Sequence, residues 1–318
     1  MSFASVVHSP SVAVIDIGSN SIKSLVAARD DCGRIVPRLT ETLEARISAG
    51  IGQAQPRLSE DGMQRGLAAI RELLEHAAAL APERTVLVAT SAVRDAANGA
   101  EFAERLRAAT GYDLRILSGE EEANLIGRGL TADPQLADLQ DFYVFDLGGG
   151  SLESLAFRGR RVEQAISLPL GCVRLTERYV EDPAAPFSAR HRSQVTAVCQ
   201  EAFAKSGFRF SLPAGTGAVF AGGTVTTVRA MLGERSGVPL SETSPVISLG
   251  ALRALLDETA SQSLAARKKI AGLPAARADV FPTALATVLA VAEIGGFSSF
   301  LHSFDNLRHG LAAELLEQ

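Results

Sequence analysis

The feature that most constrains the fold is a pattern that occurs twice in the chain. Residues 14–25 and 144–155 each contain an apolar run that ends in an aspartate, a glycine two positions later, and a second apolar run. An apolar run that ends in Asp-x-Gly is typical of a buried strand entering a tight turn. Two copies in separate halves of the chain indicate a duplicated domain, with a cleft between the halves where a ligand can bind.

Strand and helix patterns alternate between the two copies. The periodicity predicts strands over residues 12–17, 34–39 and 85–89 and helices over residues 60–79 and 120–130. This alternation indicates an α/β architecture in which helices cover the sheets. A chain of 318 residues is long enough for two such domains.

Composition excludes several classes of function. The formal net charge is −5, with no Trp and three Tyr, which argues against a dedicated nucleic-acid binder. The three cysteines, Cys32, Cys172 and Cys199, have no disulfide or zinc spacing, so a reducing, cytoplasmic setting is expected. No signal-peptide pattern occurs in residues 1–10, and the apolar stretch 284–292 is far too short for a membrane span and predicts a buried helix.

Each copy of the repeat delivers an aspartate, Asp16 or Asp146, to the end of a strand. Carboxylate oxygens suit Mg²⁺, and glycines let successive backbone N–H groups approach phosphate oxygens. For a single copy, a hairpin turn whose Asp binds its own backbone is the favoured explanation. Two matched copies, the second with the run Gly148, Gly149, Gly150 and Ser151, favour phosphate binding.

Three further segments follow predicted strands, where ligands of α/β proteins usually bind. The run Gly222, Gly223 and Thr224 leads into a helical pattern and predicts an anion site, or a closely packed strand-to-helix turn. Arg94 is either a bidentate phosphate ligand or a solvated arginine in a first helical turn. The glutamates at 120–122 either stabilise a helix N-terminus or supply one general base to the cleft.

The ordered set of these motifs resembles the exopolyphosphatase / guanosine pentaphosphate phosphatase (Ppx/GppA) family of the actin-like ATPase superfamily. Single motifs are weak, but the segment Ser-Gly-x-Glu-Glu-Ala is particular to that family. The resemblance covers nearly the whole chain, in family order, through residues 16–21, 90–96, 118–123, 146–153, 170–174, 222–224, 277–280 and 307–310.

The resemblance implies an α/β fold of two actin-like (ribonuclease H-like) domains, with mixed sheets flanked by helices and an active-site cleft between them. The first domain is expected to comprise residues 1–126 and about 304–318, and the second residues 127–303. The C-terminal helix is expected to pack back on the first domain. The chain ends where longer members of the family continue into further helical domains.

The implied reaction is release of terminal orthophosphate from inorganic polyphosphate, conversion of guanosine pentaphosphate to tetraphosphate, or both. The implied cofactor is Mg²⁺, with Mn²⁺ as the alternative ion. A non-catalytic sensor of guanosine tetra- or pentaphosphate and a small-molecule kinase of the same superfamily remain alternatives. No nucleic-acid or membrane partner is expected. The sequence does not determine the oligomeric state, and a homodimer is one alternative.

The resemblance also implies roles for individual residues. Glu121 matches the catalytic glutamate and Arg94 the phosphate-facing arginine. The metal-associated carboxylates are Asp146, Asp16 and Glu153. The phosphate-binding positions are Ser19, Asn20, Gly148, Gly149, Gly150, Ser151, Gly222, Gly223 and Thr224.

Two positions depart from the family pattern. His309 replaces the acidic residue that usually precedes the last glycine of the C-terminal motif. The run Arg46-Ile47-Ser48 stands in place of the usual Arg-Leu-Gly, which leaves that arm of the cleft unassigned.

Overall fold

A computed structural model describes residues 10–317 and contains two separate β-sheets flanked by helices. The elements of the first sheet and its helices are β1 (Ser11–Ile17), β2 (Ile22–Arg29), β3 (Ile35–Leu43), α1 (Glu60–Ala78), β4 (Arg84–Ala89), α2 (Ser91–Arg94), α3 (Gly99–Thr110), β5 (Leu114–Ile116) and α4 (Gly119–Ala132).

The second sheet and its helices follow along the chain, after a short 3-10 helix at Pro134–Leu136. Their elements are β6 (Phe142–Leu147), β7 (Leu152–Arg158), β8 (Arg161–Leu168), α5 (Cys172–Tyr179), α6 (Ala189–Ser206), β9 (Ala218–Ala221), α7 (Gly223–Ser236), β10 (Val246–Ser248), α8 (Leu249–Ala260), α9 (Leu264–Arg267), α10 (Phe281–Gly295), β11 (Ser299–His302) and α11 (Leu307–Leu315). We call residues 10–118 the first lobe and residues 142–302 the second lobe.

The two sheets share one topology at their centres. The first has the strand order β3-β2-β1-β4-β5 and the second the order β10-β11-β9-β6-β7-β8. In each sheet the leading strand, β1 or β6, pairs antiparallel with the next strand and parallel with a later one. The repeat in the sequence therefore corresponds to a repeated strand–turn–strand unit in two mixed sheets.

Helices cover both faces of the first sheet, and this explains why residues 12–15 of β1 form an unbroken apolar run. Val12 and Val14 point to one face and pack with residues of α4 and α11. Ile15 and Ile17 point to the other face and pack with residues of α1 and α3. A strand that is buried on both sides requires an apolar run instead of alternation.

The helices α4 and α11 pack against each other between the two sheets. Helix α4 also contacts β7 and β8, and α11 also contacts β1 and β2. One apolar core joins them, with Val14 from the first sheet and Val144 from the second. The domain boundary predicted after residue 126 falls inside α4, so the chain passes between the lobes within a helix.

Helix α10 is the buried helix that the apolar stretch predicts. Its residues from Phe281 to Ala292 are all buried in the core of the second lobe. Within residues 10–317, no helix is both long enough and apolar enough to cross a bilayer.

Candidate active site

A cleft lies where the carboxyl ends of β1 and β6 approach each other. It brings together most of the residues that the sequence singles out. The predicted positions that line it are Asp16, Ser19, Asn20, Asp146, Gly148, Gly149, Ser151, Glu153 and Gly223.

The strand-ending turns have the same hydrogen bond in both lobes. In the first glycine turn (residues 18–21) the Gly18 N–H donates to the Ser21 carbonyl at 3.2 Å. In the second glycine turn (residues 148–151) the Gly148 N–H donates to the Ser151 carbonyl at 3.0 Å. The turns touch across the cleft, since a Cβ added to Gly149 would lie 2.7 Å from the Cβ of Ser19.

The second glycine turn rests on the N-terminus of α5. The carbonyl oxygens of Gly148 and Gly149 accept hydrogen bonds from the N–H groups of Cys172 (3.0 Å) and Val173 (2.9 Å). In a planar trans peptide the C=O and the following N–H point in opposite directions. The N–H groups of Gly149 and Gly150 therefore point away from α5, as a phosphate-binding nest requires.

Two half-buried aspartates occupy equivalent positions in the two lobes. Asp16 ends β1 opposite Lys23 on β2, and Asp146 ends β6 opposite Glu153 on β7. Burial raises the pKa of Asp146 to about 6, with the charge of Lys23 opposing the shift. Burial also raises the pKa of Asp16, and it lowers the pKa of the Lys23 ammonium.

The donor set fits a magnesium ion. Mg²⁺ in phosphoryl-transfer sites is usually held by one or two carboxylates together with substrate phosphates and water. Asp16 and Asp146 both line the cleft and supply hard oxygen ligands. Among residues 10–317, no group of three or more His, Cys, Asp or Glu side chains is arranged to hold a metal ion. A cation here would need oxygen ligands from substrate or water as well.

Glu153 is the third predicted carboxylate and faces the same cleft. Its carboxylate accepts a hydrogen bond of 2.7 Å from the Ser167 hydroxyl. Burial, and then the charge of Asp146, raise the pKa of Glu153 to about 7.

The structure does not place Glu121 in the cleft. Its carboxylate accepts a hydrogen bond from the Ser118 N–H at 2.8 Å and forms an ion pair with Arg115 at 3.1 Å. These contacts complete a capping box at the start of α4, and the side chain is 46% exposed. The backbone hydrogen bond from Ser118 and the Arg115 side chain lower the pKa of Glu121. This carboxylate caps a helix on the outside of the molecule.

Glu122, the next residue, faces the cleft instead. Its side chain is 8% exposed and accepts a hydrogen bond of 2.8 Å from the Arg94 guanidinium. Burial, and then the charge of Glu153, raise the pKa of Glu122 well above the ordinary carboxyl value, while Arg94 opposes the shift. Adjacent helical residues point about 100° apart, so only one of the two can face the cleft.

Arg94 occupies a different place from the one predicted. Its guanidinium donates to Glu122 and, at 3.0 Å, to the Leu117 carbonyl, and it is not among the residues that line the cleft. The Arg94 guanidinium thus pairs with a carboxylate of the protein and does not face the cleft where a phosphate would bind.

The remaining predicted positions surround the cleft without lining it. A Cβ on Gly222, whose φ is +91°, would lie 2.3 Å from the Asp146 carboxylate, so this glycine lets β9 end against Asp146. A Cβ on Gly150 would lie 2.3 Å from the Ser91 hydroxyl oxygen. The Thr224 hydroxyl is buried, with no hydrogen-bond partner among residues 10–317.

Sequence reasoning missed several residues that line the cleft. Lys23 is aligned with Glu153 in the repeat, and this change of charge was the available signal. Arg277 lies in a motif that the resemblance included without a role, and its guanidinium would be 2.0 Å from a Cβ on Gly223. The lining residues without a predicted role are Gly18, Ser21, Lys23, Thr90, Ser91, Glu122, Ile126, Leu147, Arg277, Asn306 and Leu307.

Comparison with known proteins agrees with this geometry. A model of the Ppx/GppA phosphatase family matches residues 25–318. The structure of the Ppx/GppA enzyme of Aquifex aeolicus is 26% identical, with a TM-score of 0.76, over 97% of this chain and 99% of that chain. An exopolyphosphatase of Cytophaga hutchinsonii has the same fold, with a TM-score of 0.86 and 21% identity over 96% of this chain and 98% of that chain. With its two actin-like lobes on either side of the cleft, the chain belongs to the Ppx/GppA phosphatase family.

Proposed function

We propose that this phosphatase releases the terminal phosphoryl group of inorganic polyphosphate, of guanosine pentaphosphate, or of both, by attack of water. The observation that carries the proposal is the position of Glu122. This carboxylate lines the same cleft as both glycine turns, whose N–H groups would bind a phosphoryl group there. Family membership supports the reaction class, and the glycine turns together with Lys23 and Arg277 support a substrate that carries phosphate groups.

Glu122 is the general base in this mechanism. A base works best when its pKa is close to the working pH, and burial moves the pKa of Glu122 upward in that direction. The hydrogen bond from Arg94 fixes the carboxylate while leaving its other oxygen for a water molecule. We assign the role to Glu122 rather than to Glu121, whose carboxylate is held in the capping box.

The rest of the cleft holds the phosphoryl group. Phosphoryl transfer has a loose transition state, so catalysis is mainly positioning and neutralisation of charge. The N–H groups of the second glycine turn, with Ser19 and Asn20 opposite, supply donors to the phosphate oxygens. Lys23 and Arg277 supply positive charge at the same place.

The cofactor in this proposal is Mg²⁺, with Mn²⁺ as the alternative ion. Asp146 and Asp16 would hold it, and Glu153 lies beside Asp146. When bound, such an ion polarises a phosphoryl oxygen and offsets the charge that develops on it. The protein side chains position the substrate and the water around it.

A phosphate-release assay tests the proposal. Tripolyphosphate, long-chain polyphosphate and guanosine pentaphosphate are compared side by side, with Mg²⁺ and with a chelator. Release of orthophosphate from at least one substrate is expected, with loss of release in Glu122→Gln. Binding of guanosine tetraphosphate without turnover would indicate the sensor instead, and phosphate transfer only in the presence of an acceptor would indicate the kinase.

A further inference from the structure

Four charged side chains of alternating sign connect the cleft to the second glycine turn. Glu122 accepts a hydrogen bond from Arg94 at 2.8 Å, and the Arg94 Nε lies 3.5 Å from the Asp95 carboxylate. The other carboxylate oxygen of Asp95 accepts a hydrogen bond from Arg174. We call these four residues the charge chain. It ends on the Gly150 carbonyl, which accepts from the Arg174 Nε at 2.7 Å.

Arg174 uses each of its three nitrogens for a different partner. Its Nε donates to Gly150, one terminal nitrogen donates to the Ile51 carbonyl at 3.1 Å, and the other donates to Asp95. Arg174 and Gly150 belong to the second lobe, whereas Ile51 and Asp95 belong to the first. The guanidinium therefore joins both lobes at a point where its side chain is 8% exposed.

The segment that carries Arg94 and Asp95 also touches the second glycine turn directly. Ser91, at the start of α2, lies so close to Gly150 that an added Cβ would be 2.3 Å from its hydroxyl oxygen. This short helix thus contacts the turn at its first residue, and it connects to the turn again through Asp95 and Arg174. A shift of the turn relative to the first lobe would move Arg94, and with it Glu122.

Buried charges are stabilising only when each has a partner of good geometry. Asp95 is a shared partner of both arginines in the charge chain. Loss of its charge removes the contact at the Arg94 Nε, so the orientation of Arg94 then depends on Glu122 and the Leu117 carbonyl alone.

We propose that Asp95 and Arg174 are positioning residues for Glu122, which act through Arg94 and align the general base only when the two lobes are closed around the second glycine turn. Neither residue lines the cleft, and neither needs to contact the substrate. The inference rests on the proposed function, because it assumes that Glu122 acts as the base.

The test is a double-mutant cycle measured by phosphate release. Asp95→Asn keeps the size of the side chain and removes its charge, and the Asp95 side chain is 32% exposed, which favours folding of the variant. Loss of one charged partner is expected to lower kcat by about tenfold with KM within about twofold. In the Glu122→Gln background, the same substitution is expected to change single-turnover release by less than about twofold, because the base is already absent.

Arg174→Lys provides a second variant in the same cycle. Lysine keeps the positive charge but cannot donate to three partners that diverge from a planar guanidinium. It is expected to lower kcat in the wild-type background, with a smaller effect in the Glu122→Gln background.

Glu177→Gln is the matched control. Glu177 also joins the lobes, because its carboxylate accepts from the N–H groups of Gly50 at 3.0 Å and Gly52 at 2.8 Å, which are not members of the charge chain. It is expected to lower the melting temperature while kcat stays within about twofold of the wild-type value.

The outcomes separate the inference from the proposed function. No phosphate release by the wild-type protein, or full activity of Glu122→Gln, would overturn the proposed function. With those two results as expected, three results would each overturn the inference alone: an unchanged kcat in Asp95→Asn, an effect confined to KM, or an equal loss in both backgrounds.

Discussion

Glu121 and Glu122 are adjacent in α4, yet the Glu121 carboxylate caps the helix on the surface, whereas the Glu122 carboxylate lines the cleft and accepts a hydrogen bond from Arg94. The capping box fixes this difference, because it holds the Glu121 side chain back toward Ser118. The rotation of about 100° between neighbouring helical residues then turns Glu122 toward the cleft.

The first prediction concerns these two glutamates. Glu122→Gln removes the proton acceptor at constant size and is expected to lower kcat by about 10²–10⁴-fold. Glu121→Gln is expected to keep kcat within a few fold, with stability lower by about 1 kcal/mol because the cap is weakened. Steady-state phosphate release and thermal melts of both variants check this prediction. If Glu121→Gln were the inactive variant, the base would have to be Glu121, as the family motif implied from the sequence.

Most elements of the fold could be predicted from the sequence, because burial follows apolar periodicity. The prediction of a helix over residues 60–79 is confirmed, since α1 spans Glu60–Ala78. Ser59 is its N-cap, and the Ser59 hydroxyl accepts from the Gly62 N–H. The strand predicted over residues 34–39 extends further, to Leu43. Residues 40–42 of this strand are polar but still pair with β2 through the backbone, which an edge strand allows.

The composition of the cleft could be predicted only in part. The glycine turns are local patterns, so their residues were identifiable one by one. The orientation of Glu121 and Glu122 depends on a single step along a helix, which no apolar pattern determines to within one residue. Lys23 pairs with Asp16 across one hairpin, so its place could have been inferred from the repeat. Arg277 is buried beside Gly223, more than 50 residues away in sequence, so only the fold shows that they meet.

The second prediction concerns Gly150. A Cβ at this position would lie 2.3 Å from the Ser91 hydroxyl oxygen, 2.7 Å from Ile51 and 2.8 Å from Ser19, all in the first lobe. Gly150→Ala should therefore push the second glycine turn away from the first lobe, and a displacement of about 1 Å can lower the rate by about 100-fold. The overpacking should also reduce stability by about 1–3 kcal/mol.

Gly217→Ala is the control for that substitution. Apart from its two chain neighbours, no described residue has a heavy atom within 4 Å of a Cβ added at Gly217. This variant should therefore keep the wild-type rate and melting temperature. Phosphate release and thermal melts of the two variants are compared. Wild-type activity in Gly150→Ala would show that close contact between the turn and the first lobe is not needed for turnover.

The third prediction concerns the proposed metal ligands. Asp146→Asn removes a charged oxygen ligand and should raise the Mg²⁺ concentration for half-maximal phosphate release by at least about tenfold. Asp141→Asn is the matched control, because Asp141 precedes β6 at the end of the strand away from the cleft and accepts from the Gly159 N–H. A magnesium titration of both variants checks the prediction. Identical titration curves for Asp146→Asn and the wild type would exclude Asp146 as a ligand.

The last prediction concerns pH and stability at Asp305. Burial, and then the charge of Asp133, raise the pKa of the Asp305 carboxyl to about 7, with Arg308 opposing the shift. His309 lies 3.3 Å away, but burial lowers the pKa of its ring to about 3, so it is neutral and supplies no counter-charge. The folded protein therefore binds this proton more tightly than the unfolded chain does.

The direction in which stability changes with pH follows from the number of protons bound in the folded and unfolded states. Between the unfolded pKa of about 4 and the folded pKa of about 7, the folded state holds more protons, so stability should fall as pH rises through this range. Asp305→Asn removes the titrating group. The free energy of unfolding of the variant minus that of the wild type should increase by up to about 4 kcal/mol between pH 4 and pH 8.

Urea unfolding at pH 4, 6 and 8 measures this difference, with Asp31→Asn as the control in an exposed turn. The control should follow the wild-type pH profile, because the carboxylate of Asp31 faces water in both states. A constant difference between Asp305→Asn and the wild type across the three pH values would show that Asp305 is ionised in the folded protein. The carboxylate would then have to gain more from Arg308 than it loses through burial beside Asp133.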